Sequence, residues 1–343
     1  MKKQLEKPFE YLKHKDGSPF SPEIVNHWYE ARAYVLDKLK DVAIGPDSSN
    51  HLHVVVTSDT PLMLAAVRQV GLSAHYPNFD DLKDGNKTVI TLVSGNERIM
   101  DELAKEEYLS NLSYYCINTK YTDIELQIAK GWDPKDDTDA VIMSEEDMKS
   151  FLSSKSPEEV YSIDTRKAVI ADRIYSIGTL IDNLPAEDIH NINRYTMALD
   201  TFQYRLLTKE MQPLIQPKRW ADDLSRVKNG LSNIFCTDCF ESRAKCLSDK
   251  YTEAYSKSEH ARWLTEKLIM GFRPLNKMER IHDERSLGIV KAEYRRQLKK
   301  NPSDPVHIDI CDYSNLRRID PESLKYDTFL MLAIPMILNF VKS

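Results

Sequence analysis

The stretch His51-Leu-His-Val-Val-Val-Thr57, followed directly by Ser58-Asp-Thr-Pro61, decides the fold. Its first part is a continuous apolar run, which is typical of a strand buried on both faces of a parallel sheet. Its second part is a turn, and Pro61 suits the first position of the helix that follows. The apolar residues of that helix recur at helical spacing, at Leu62, Ala65, Ala66 and Val70. The stretch therefore predicts a strand, a turn and a helix, the unit from which parallel sheets are built.

The same alternation of helix and strand continues on both sides of this stretch. Before it, Ser21 is a good N-cap and Pro22 a good first residue for a helix over 22–40. After it, the pattern predicts a strand at 87–93, a helix at 97–109, and further strands at 112–118 and 139–143. The predicted fold class is α/β, with a degenerate Rossmann-like, doubly wound parallel sheet.

The 343 residues divide into four predicted segments. These are a loosely structured lead-in (1–20), a Rossmann-like domain (21–145), a helical middle region (146–250) and a mainly α-helical C-terminal domain (251–343). Helices of the middle region are expected at 145–152, 165–183 and 187–209, with further pieces within 220–250. The last segment has a helix over 258–270 that stops at Gly271, and an apolar helix that begins at Pro321.

Composition excludes several classes of protein. The net charge is −6, which argues against binding nucleic acid or an anionic membrane. The ten glycines stand singly, so no dinucleotide fingerprint, phosphate-binding P-loop or G-x-S-x-G elbow can form. No H-E-x-x-H metalloprotease motif occurs.

The compartment is predicted to be the cytoplasm. The N-terminus is charged and has no apolar segment behind it, so no secretory signal is expected. The most apolar run, from Phe329 to Val341, is too short to span a membrane and contains Pro335, so it predicts a buried helix. Five cysteines are few and odd in number, which suits a reducing compartment.

The turn after the first strand is a candidate cofactor site, formed by Ser58, Asp59 and Thr60. In a doubly wound fold a phosphate lies on the helix N-terminus at this position. Here hydroxyls and a carboxylate stand where glycines would let the phosphate approach. The sequence therefore favours a scaffold that has lost its nucleotide site over one that still binds a nucleotide.

This part of the chain resembles a known family. The first strand and helix, with Val67-Arg-Gln-Val-Gly-Leu-Ser-Ala-His-Tyr-Pro-Asn-Phe79 and Thr88-Val-Ile-Thr-Leu-Val93, are similar to the NAD-binding domains of bacterial potassium-uptake regulators, the TrkA-N type. The resemblance covers about 50–145. Because the family's glycines are missing, it implies the fold and not the cofactor.

The C-terminal segment carries a second motif, Glu259-His-Ala-Arg-Trp-Leu-Thr-Glu-Lys-Leu-Ile-Met-Gly-Phe-Arg-Pro274. Its spacing places His260, Trp263 and Lys267 on one face of a helix. The motif is similar to the H-x-x-W-x-x-x-K-x-x-x-G-W signature of the repeat domain of ryanodine receptors, with Phe272 in place of the family's tryptophan. His307-Ile-Asp-Ile-Cys-Asp-Tyr-Ser-Asn-Leu316 and Lys325-Tyr-Asp327 resemble later segments of that domain, so the likeness covers about 255–340.

The resemblance implies a bacterial protein that senses a nucleotide-derived ligand in stress or defence signalling. The residues themselves are compatible with such a site: the rings of Trp263 and Phe272 suit a base, Arg262 and Arg273 suit phosphates, and Glu259 and His260 suit a ribose. Lys267 and Tyr313 complete the predicted ligand-binding set. The alternative stays open: the two aromatic residues are core, Glu259 caps the helix and Lys267 is solvated.

Other motifs are weaker. Cys236-x-x-Cys239 with Cys246 could bind zinc or act as a redox pair, but all three fall in a helical stretch, so neither is expected. The basic run 291–300 predicts a solvated helix face and not a nucleic-acid site. No nucleophile stands with a base and an orienting partner, so no catalytic residue and no metal are assigned.

The leading hypothesis is a non-enzymatic sensor that binds a nucleotide-like small molecule through its C-terminal domain. It is expected to form a homo-oligomer and to bind neither nucleic acid nor membrane, and a protein partner is compatible with this hypothesis. The alternatives are an interaction scaffold without a small-molecule ligand, and an enzyme that degrades a nucleotide messenger.

Overall fold

The structure is a computed structural model. It describes residues 5–80, 85–118, 122–135, 137–176, 181–184, 192–215, 227–248, 251–276, 287–293, 296 and 304–342.

A four-stranded, fully parallel sheet lies at the centre of the N-terminal half. Its strands are β2 (His53–Val56), β3 (Thr88–Val93), β4 (Ile124–Ala129) and β5 (Val141–Met143), in the spatial order β4-β3-β2-β5. The fold is therefore α/β. The strands predicted at 51–57, 87–93 and 139–143 are confirmed, because they contain β2, β3 and β5. A separate antiparallel pair joins β1 (Leu5–Glu6) to β6 (Ile163–Asp164). Strand β6 lies in the middle region, where only helices were expected.

Helices make up most of the remaining described structure. They are a 3-10 helix (Pro8–Tyr11), α1 (Pro22–Leu39), α2 (Pro61–Ser73), α3 (Ile99–Leu103), α4 (Ser110–Asn118), α5 (Glu145–Ser153), α6 (Pro157–Tyr161), α7 (Arg166–Ser176), α8 (Ile192–Leu206), α9 (Val227–Asp238), α10 (Phe240–Cys246), α11 (Glu253–Ile269), α12 (Tyr313–Ile319) and α13 (Pro321–Lys342). The oxygen of Ser21 accepts a hydrogen bond from the Ile24 N–H, as expected of the predicted N-cap of α1. The parts of the predicted middle-region helices at 177–180, 187–191, 220–226 and 249–250 lie outside the described residues.

The strand predicted at 112–118 is wrong, because this segment lies within helix α4. Tyr114 and Tyr115 favour strands, but the buried apolar residues are Leu109, Leu112 and Cys116, which lie three and four residues apart as on one helix face. The strand missing from the prediction is β4, an edge strand in which apolar Ile124, Leu126 and Ile128 alternate with polar residues.

The helix predicted at 97–109 is wrong over most of its length, since only α3 is helical there. Tyr108 has a φ of 64°, a left-handed conformation that ends regular structure. Its hydroxyl donates a hydrogen bond to the carbonyl of Lys13 at 2.7 Å. Tertiary contacts of this tyrosine therefore override the helical pattern.

The lead-in is also more ordered than predicted. Phe9 is fully buried, and its ring lies 4.8 Å from Tyr29, 5.4 Å from Trp28 and 6.1 Å from Phe235. The Phe9 N–H donates a hydrogen bond to the Tyr29 hydroxyl. Burial of one large aromatic ring contributes about 1.5–3 kcal/mol to holding this short segment against α1 and α9.

The two faces of the sheet differ. Val54, Val56, Ile90 and Leu92 point into the main core. On the other face, His53 donates or accepts hydrogen bonds with Asp137 at 2.7 Å and Thr91 at 2.9 Å. The β4–β5 connection therefore reaches this second face, and its described residues, 130–135 and 137–140, contain no helix.

The main core joins residues from every predicted segment, from Phe9 to Ile269. The contact between α2, α4 and α11 depends on Gly71, where a Cβ would lie 3.1 Å from Leu112 Cδ2 and 3.6 Å from Ile269 Cδ1. The sheet and the C-terminal motif thus pack directly against each other.

A second core forms around α13. This helix is the one described helix that is long and apolar enough to cross a membrane, but 61% of its apolar window is buried inside the protein. Phe329, Ile334 and Ile337 pack against α7, α8 and α10. The predicted buried C-terminal helix is confirmed, since most of its apolar window packs inside the protein.

Candidate functional site

Helix α11 positions the candidate site. It begins at Glu253, five residues before the predicted start, and ends where predicted, at Gly271, whose φ of 85° suits only glycine without strain. The helix packs on α2 and α4 on one side and on α13 on another, so most of it is buried. Two of its faces carry charged and aromatic side chains that differ in what surrounds them.

The first face carries an ion network buried away from solvent. Glu259 is bonded to Arg243 of α10 and to Arg262, whose Nη2 lies 2.8 Å from Glu259 Oε1. Arg262 Nη1 donates to Glu266 Oε2 at 2.8 Å, and Lys267 Nζ to Glu266 Oε1 at 2.9 Å. The side chains of Glu259, Arg262 and Glu266 are at most 1% exposed.

The charges in this network compensate one another. Burial alone would raise the pKa of Glu266, but Lys267 and Arg262 lower it to about 2. Burial likewise opposes ionisation of Glu259, yet Arg262 and Arg243 hold its pKa below the ordinary value. Glu259 and Arg262, predicted to bind a ligand, thus lie in a structural network, and neither lines the cavity on the second face of the helix.

The second face of α11 borders a cavity of about 210 Å³. It is bounded by α11, by the segment around 307–309, and by α12 and α13. Its lining residues are His260, Trp263, His307, Asp309, Leu316, Ser323, Tyr326 and Asp327. Of the predicted ligand-binding residues, the structure brings His260 and Trp263 to this cavity.

His260, Trp263 and His307 form an aromatic wall of the cavity, and three other predicted residues support this wall. Lys267 Nζ lies 5.4 Å from the centre of the Trp263 ring, a cation–π distance. Tyr313 packs edge-on against His260 at 5.9 Å, and Phe272 packs edge-on against His307 at 6.0 Å. These side chains hold the wall from behind rather than line it.

The rings of the wall also contact each other. Trp263 stacks on His260 at 5.9 Å and meets the edge of His307 at 4.8 Å. Offset and edge-to-face pairs of this kind stabilise by about 0.5–1.5 kcal/mol beyond area burial. The indole is therefore held in a fixed orientation at the cavity.

Arg273, predicted to bind phosphate, holds the far wall in place. Its Nε and Nη2 donate to the two oxygens of Asp304 at 2.8 and 3.0 Å, and its backbone bridges to Val306. Bidentate pairing of this kind fixes geometry. Arg273 thus fixes the segment before His307 and Asp309 in position next to the end of α11.

Two histidine–aspartate pairs face the cavity. Nδ1 of His260 lies 3.7 Å from Asp327 Oδ2, and Nδ1 of His307 lies 3.7 Å from Asp309 Oδ2. Both distances are too long for hydrogen bonds. Oδ1 of Asp309 is buried and has no hydrogen-bond partner among the described residues.

Burial changes the protonation of these groups. It raises the pKa of Asp309 to about 7, with a further increase from the carboxylate of Asp320 and an opposing effect of Lys291. Burial and the charge of Glu259 raise the pKa of Asp327 well above its ordinary value. Burial, with the positive charges of Lys267 and Lys291, lowers the pKa of His307 to about 3, so that this imidazole is neutral at pH 7.

Sequence reasoning did not assign Asp309, Asp327, His307, Ser323 or Tyr326 to the site. They stand more than 40 positions after Trp263 in the chain, and nothing local links them to it. The available signal is the resemblance of the segments 307–316 and 325–327 to the same domain, which gave a role to Tyr313 and to none of these five residues.

The candidate cofactor site after β2 is occupied by the protein's own side chains. Asp59 accepts a hydrogen bond from Ser94, and Thr60 donates one to Glu145 Oε2 at 2.9 Å. Ser58 lies beside them, with a buried hydroxyl that makes no hydrogen bond to described residues. Two carboxylates thus stand at the N-terminus of α2, where a phosphate would have to bind.

The cysteines are embedded in helical structure. Cys239 Sγ donates to the carbonyl of Leu72 at 3.3 Å and Cys246 Sγ to that of Ser242 at 3.4 Å. Burial raises the pKa of both thiols, and that of Cys239 to about 12. Among the described residues no group of three or more histidine, cysteine or acidic side chains could hold a metal. Most of the basic run 291–300 lies outside the described residues.

Comparisons with known proteins give no relative. No family model, no curated protein and no solved structure matches the chain.

Proposed function

We propose that this protein is a non-enzymatic sensor that binds a nucleotide-derived small molecule in the cavity beside α11 (Glu253–Ile269). The observation that carries the proposal is the juxtaposition of a fixed indole, Trp263, with a few convergent polar groups around a cavity of about 210 Å³. Apolar or aromatic walls with few well-placed polar groups are typical of small-molecule sites.

A nucleobase and its ribose fit this chemistry. Stacking of a base on an aromatic side chain contributes about 1–3 kcal/mol, and Trp263 presents the largest ring at the cavity. Asp309, Asp327 and Ser323 can accept hydrogen bonds from base amino groups or ribose hydroxyls. The resemblance of 255–340 to the ryanodine-receptor repeat domain supports the same ligand class.

The cavity is placed to transmit binding. Its walls come from α11, α12 and α13, and α11 also packs on α2 and α4 of the sheet region. Lys267 contacts both the Trp263 ring and Glu266 of the buried network. A ligand that stacks on Trp263 would therefore act on the helix that joins the two cores, and could shift an oligomeric or partner-binding equilibrium.

For the N-terminal part we propose a Rossmann-like scaffold related to the TrkA-N type, without a bound cofactor. Its strand order, third-second-first-fourth in chain order, equals the first four strands of the doubly wound order. We place the whole protein in the cytoplasm of a bacterium, as a homo-oligomer.

One observation favours a second candidate, an enzyme that degrades a nucleotide messenger. The two histidine–aspartate pairs, and the raised pKa of Asp309 at about 7, are features that acid–base catalysts share. Product formation from a bound nucleotide would favour the enzyme over the sensor.

The test is a thermal-shift panel of NAD(H), ADP-ribose and its cyclic forms, and cyclic mono- and dinucleotides. A ligand at about 100 times its Kd adds ~2.7 kcal/mol, which raises the midpoint by several degrees. We expect Trp263→Ala to abolish the shift and Trp132→Ala, on the β4–β5 connection, to retain it.

The panel also separates the alternatives. A shift that Trp263→Ala leaves unchanged would place the ligand elsewhere and overturn the proposal. If no nucleotide in the panel raises the melting midpoint, the proposal is also overturned and an interaction scaffold is favoured. Size-exclusion shifts with a protein partner are then the next measurement.

A further inference from the structure

Among the described residues, the carboxyl groups at the cavity have few donors, and Oδ1 of Asp309 is buried with no hydrogen-bond partner. His260 Nε2 lies 2.9 Å from the carbonyl of Cys311 and donates its proton there, while Nδ1 lies 3.7 Å from Asp327 Oδ2. Nδ1 of His307 accepts the N–H of Asp309 at 3.3 Å, so its proton is on Nε2. His307 therefore turns a lone pair, and not a proton, toward Asp309, and Nδ1 of His260 lies too far from Asp327 to donate a hydrogen bond.

The nearby cations are already paired with other carboxylates. Lys267 is bonded to Glu266, and Lys291 to Asp320 at 2.5 Å. Arg243 and Arg262 are bonded to Glu259. Within the described part of the chain, no side chain donates a hydrogen bond to the carboxyl of Asp327. A ligand with positive charge and N–H donors would therefore stabilise the carboxylate forms of these acids, which burial disfavours.

The shape of the site adds a second requirement. Trp263 and Tyr326 line the cavity beside the two aspartates. Aromatic faces attract cations through their quadrupole, with about 0.5–2 kcal/mol per contact, and they favour flat partners. An anion such as phosphate would instead meet Asp309 and Asp327 in a poorly solvated space, which is strongly unfavourable.

We infer that the cavity binds a flat organic cation that carries N–H donors, such as an amidinium or a protonated amino-substituted base, against Trp263, Asp309 and Asp327. For the natural ligand this rests on the proposed function: the base of the nucleotide-derived molecule enters the cavity in a positively charged form, and its phosphates stay outside. The charged head is the part of the ligand that the protein selects.

The test uses two fragments of nearly equal shape, benzamidine and benzamide, of which only the first is a cation at pH 8. Titrations of the full-length protein followed by ligand-observed NMR give the two Kd values. We expect benzamidine to bind about tenfold more tightly, the difference between charge-assisted and neutral hydrogen bonds. Equal binding, or tighter binding of benzamide, would overturn the inference.

Variants locate the effect. Asp309→Asn together with Asp327→Asn keeps the shape and removes both acids, and we expect the preference to fall below about twofold. Glu322 is an exposed carboxylate near the start of α13, the helix that carries Asp327, and the control variant Glu322→Gln should keep the preference for benzamidine. A preference that survives in the double variant would also contradict the inference, and melting curves check that each variant is folded.

The outcome is separable from that of the nucleotide panel. If benzamidine binds selectively and no nucleotide does, the cation site stands and the proposed function fails. If nucleotides bind through Trp263 but benzamidine shows no preference, the sensor stands and the cation site is wrong.

Discussion

The two faces of α11 (Glu253–Ile269) carry similar side chains and differ in how these are partnered. On one face Glu259 and Glu266 are buried with Arg243, Arg262 and Lys267, and each carboxylate has cationic donors. On the other face the cavity residues Asp309 and Asp327 each lie 3.7 Å from an imidazole nitrogen, which is too far for a hydrogen bond. A buried charge with its partners is part of the structure, whereas a buried acid without them beside an open space marks a place for a ligand.

The largest expected effect tests the paired face. Arg262→Met leaves Glu259 and Glu266 buried with fewer cations, and breaking a buried ion network costs about 3–5 kcal/mol. We expect chemical denaturation to show a loss of this size. As a control, Arg98→Met breaks an exposed pair with Asp101 and should change stability by less than about 0.5 kcal/mol. A loss for Arg262→Met as small as that of the control would show that the network does not support the fold.

The next effect tests the unpaired face through its pH dependence. The folded Asp309 has a pKa of about 7 and the unfolded one an ordinary value near 3.8, so the folded state holds a proton that the unfolded state has lost in this range. The stability contributed by this proton is present below pH 4 and is lost as the pH rises toward 7.

Asp309→Asn removes this contribution, and it keeps the opposite contribution of His307, which both proteins share. We therefore expect the free energy of unfolding of the wild-type protein, relative to the variant, to fall by roughly 2–4 kcal/mol between pH 4 and 8. Parallel stability curves for the two proteins would mean that Asp309 is ionised normally and that the contrast between the faces of α11 is wrong.

The smallest effect concerns the sheet end, the place where a doubly wound fold would hold a nucleotide. Asp59→Asn loses a charge-assisted hydrogen bond from Ser94, so we expect a stability loss of about 1 kcal/mol or less. The thermal shift with any ligand found in the nucleotide panel should be unchanged. A shift that grows in this variant would mean that the ligand binds at the sheet and that Asp59 repels it.

Much of the sheet region could be predicted from the sequence, because its signals are local. The apolar run 51–57, the strand at 87–93 and the N-cap Ser21 each form what their own residues favour. The segment 112–118 was predicted as a strand and is part of helix α4. This error has a physical cause, since Tyr114 and Tyr115 favour strands while the contacts of Leu112 and Cys116 in the core select a helix.

The candidate site could be predicted only in part, because its partners are remote in the chain. The placement of His260 and Trp263 on one face of a helix follows from their spacing in the sequence, and both line the cavity. Glu259 and Arg262 have residue types that suit a ligand, and only the position of Arg243 on another helix shows that they form a network. Asp309 and Asp327 are ordinary acids in the sequence, and their properties arise from burial in the folded chain.

The burial of α11 has a consequence for natural variation. Twelve of its residues are buried, and they include two glutamates, an arginine, a histidine, two serines and a threonine that must fit one another in size and in charge. A substitution at one of these buried residues requires a matching substitution at another. We therefore expect the sequence of α11 to change slowly and in a correlated way, while exposed parts of the chain tolerate independent substitutions. The run from Glu259 to Lys267 is therefore the stretch by which distant relatives of this chain should remain recognisable.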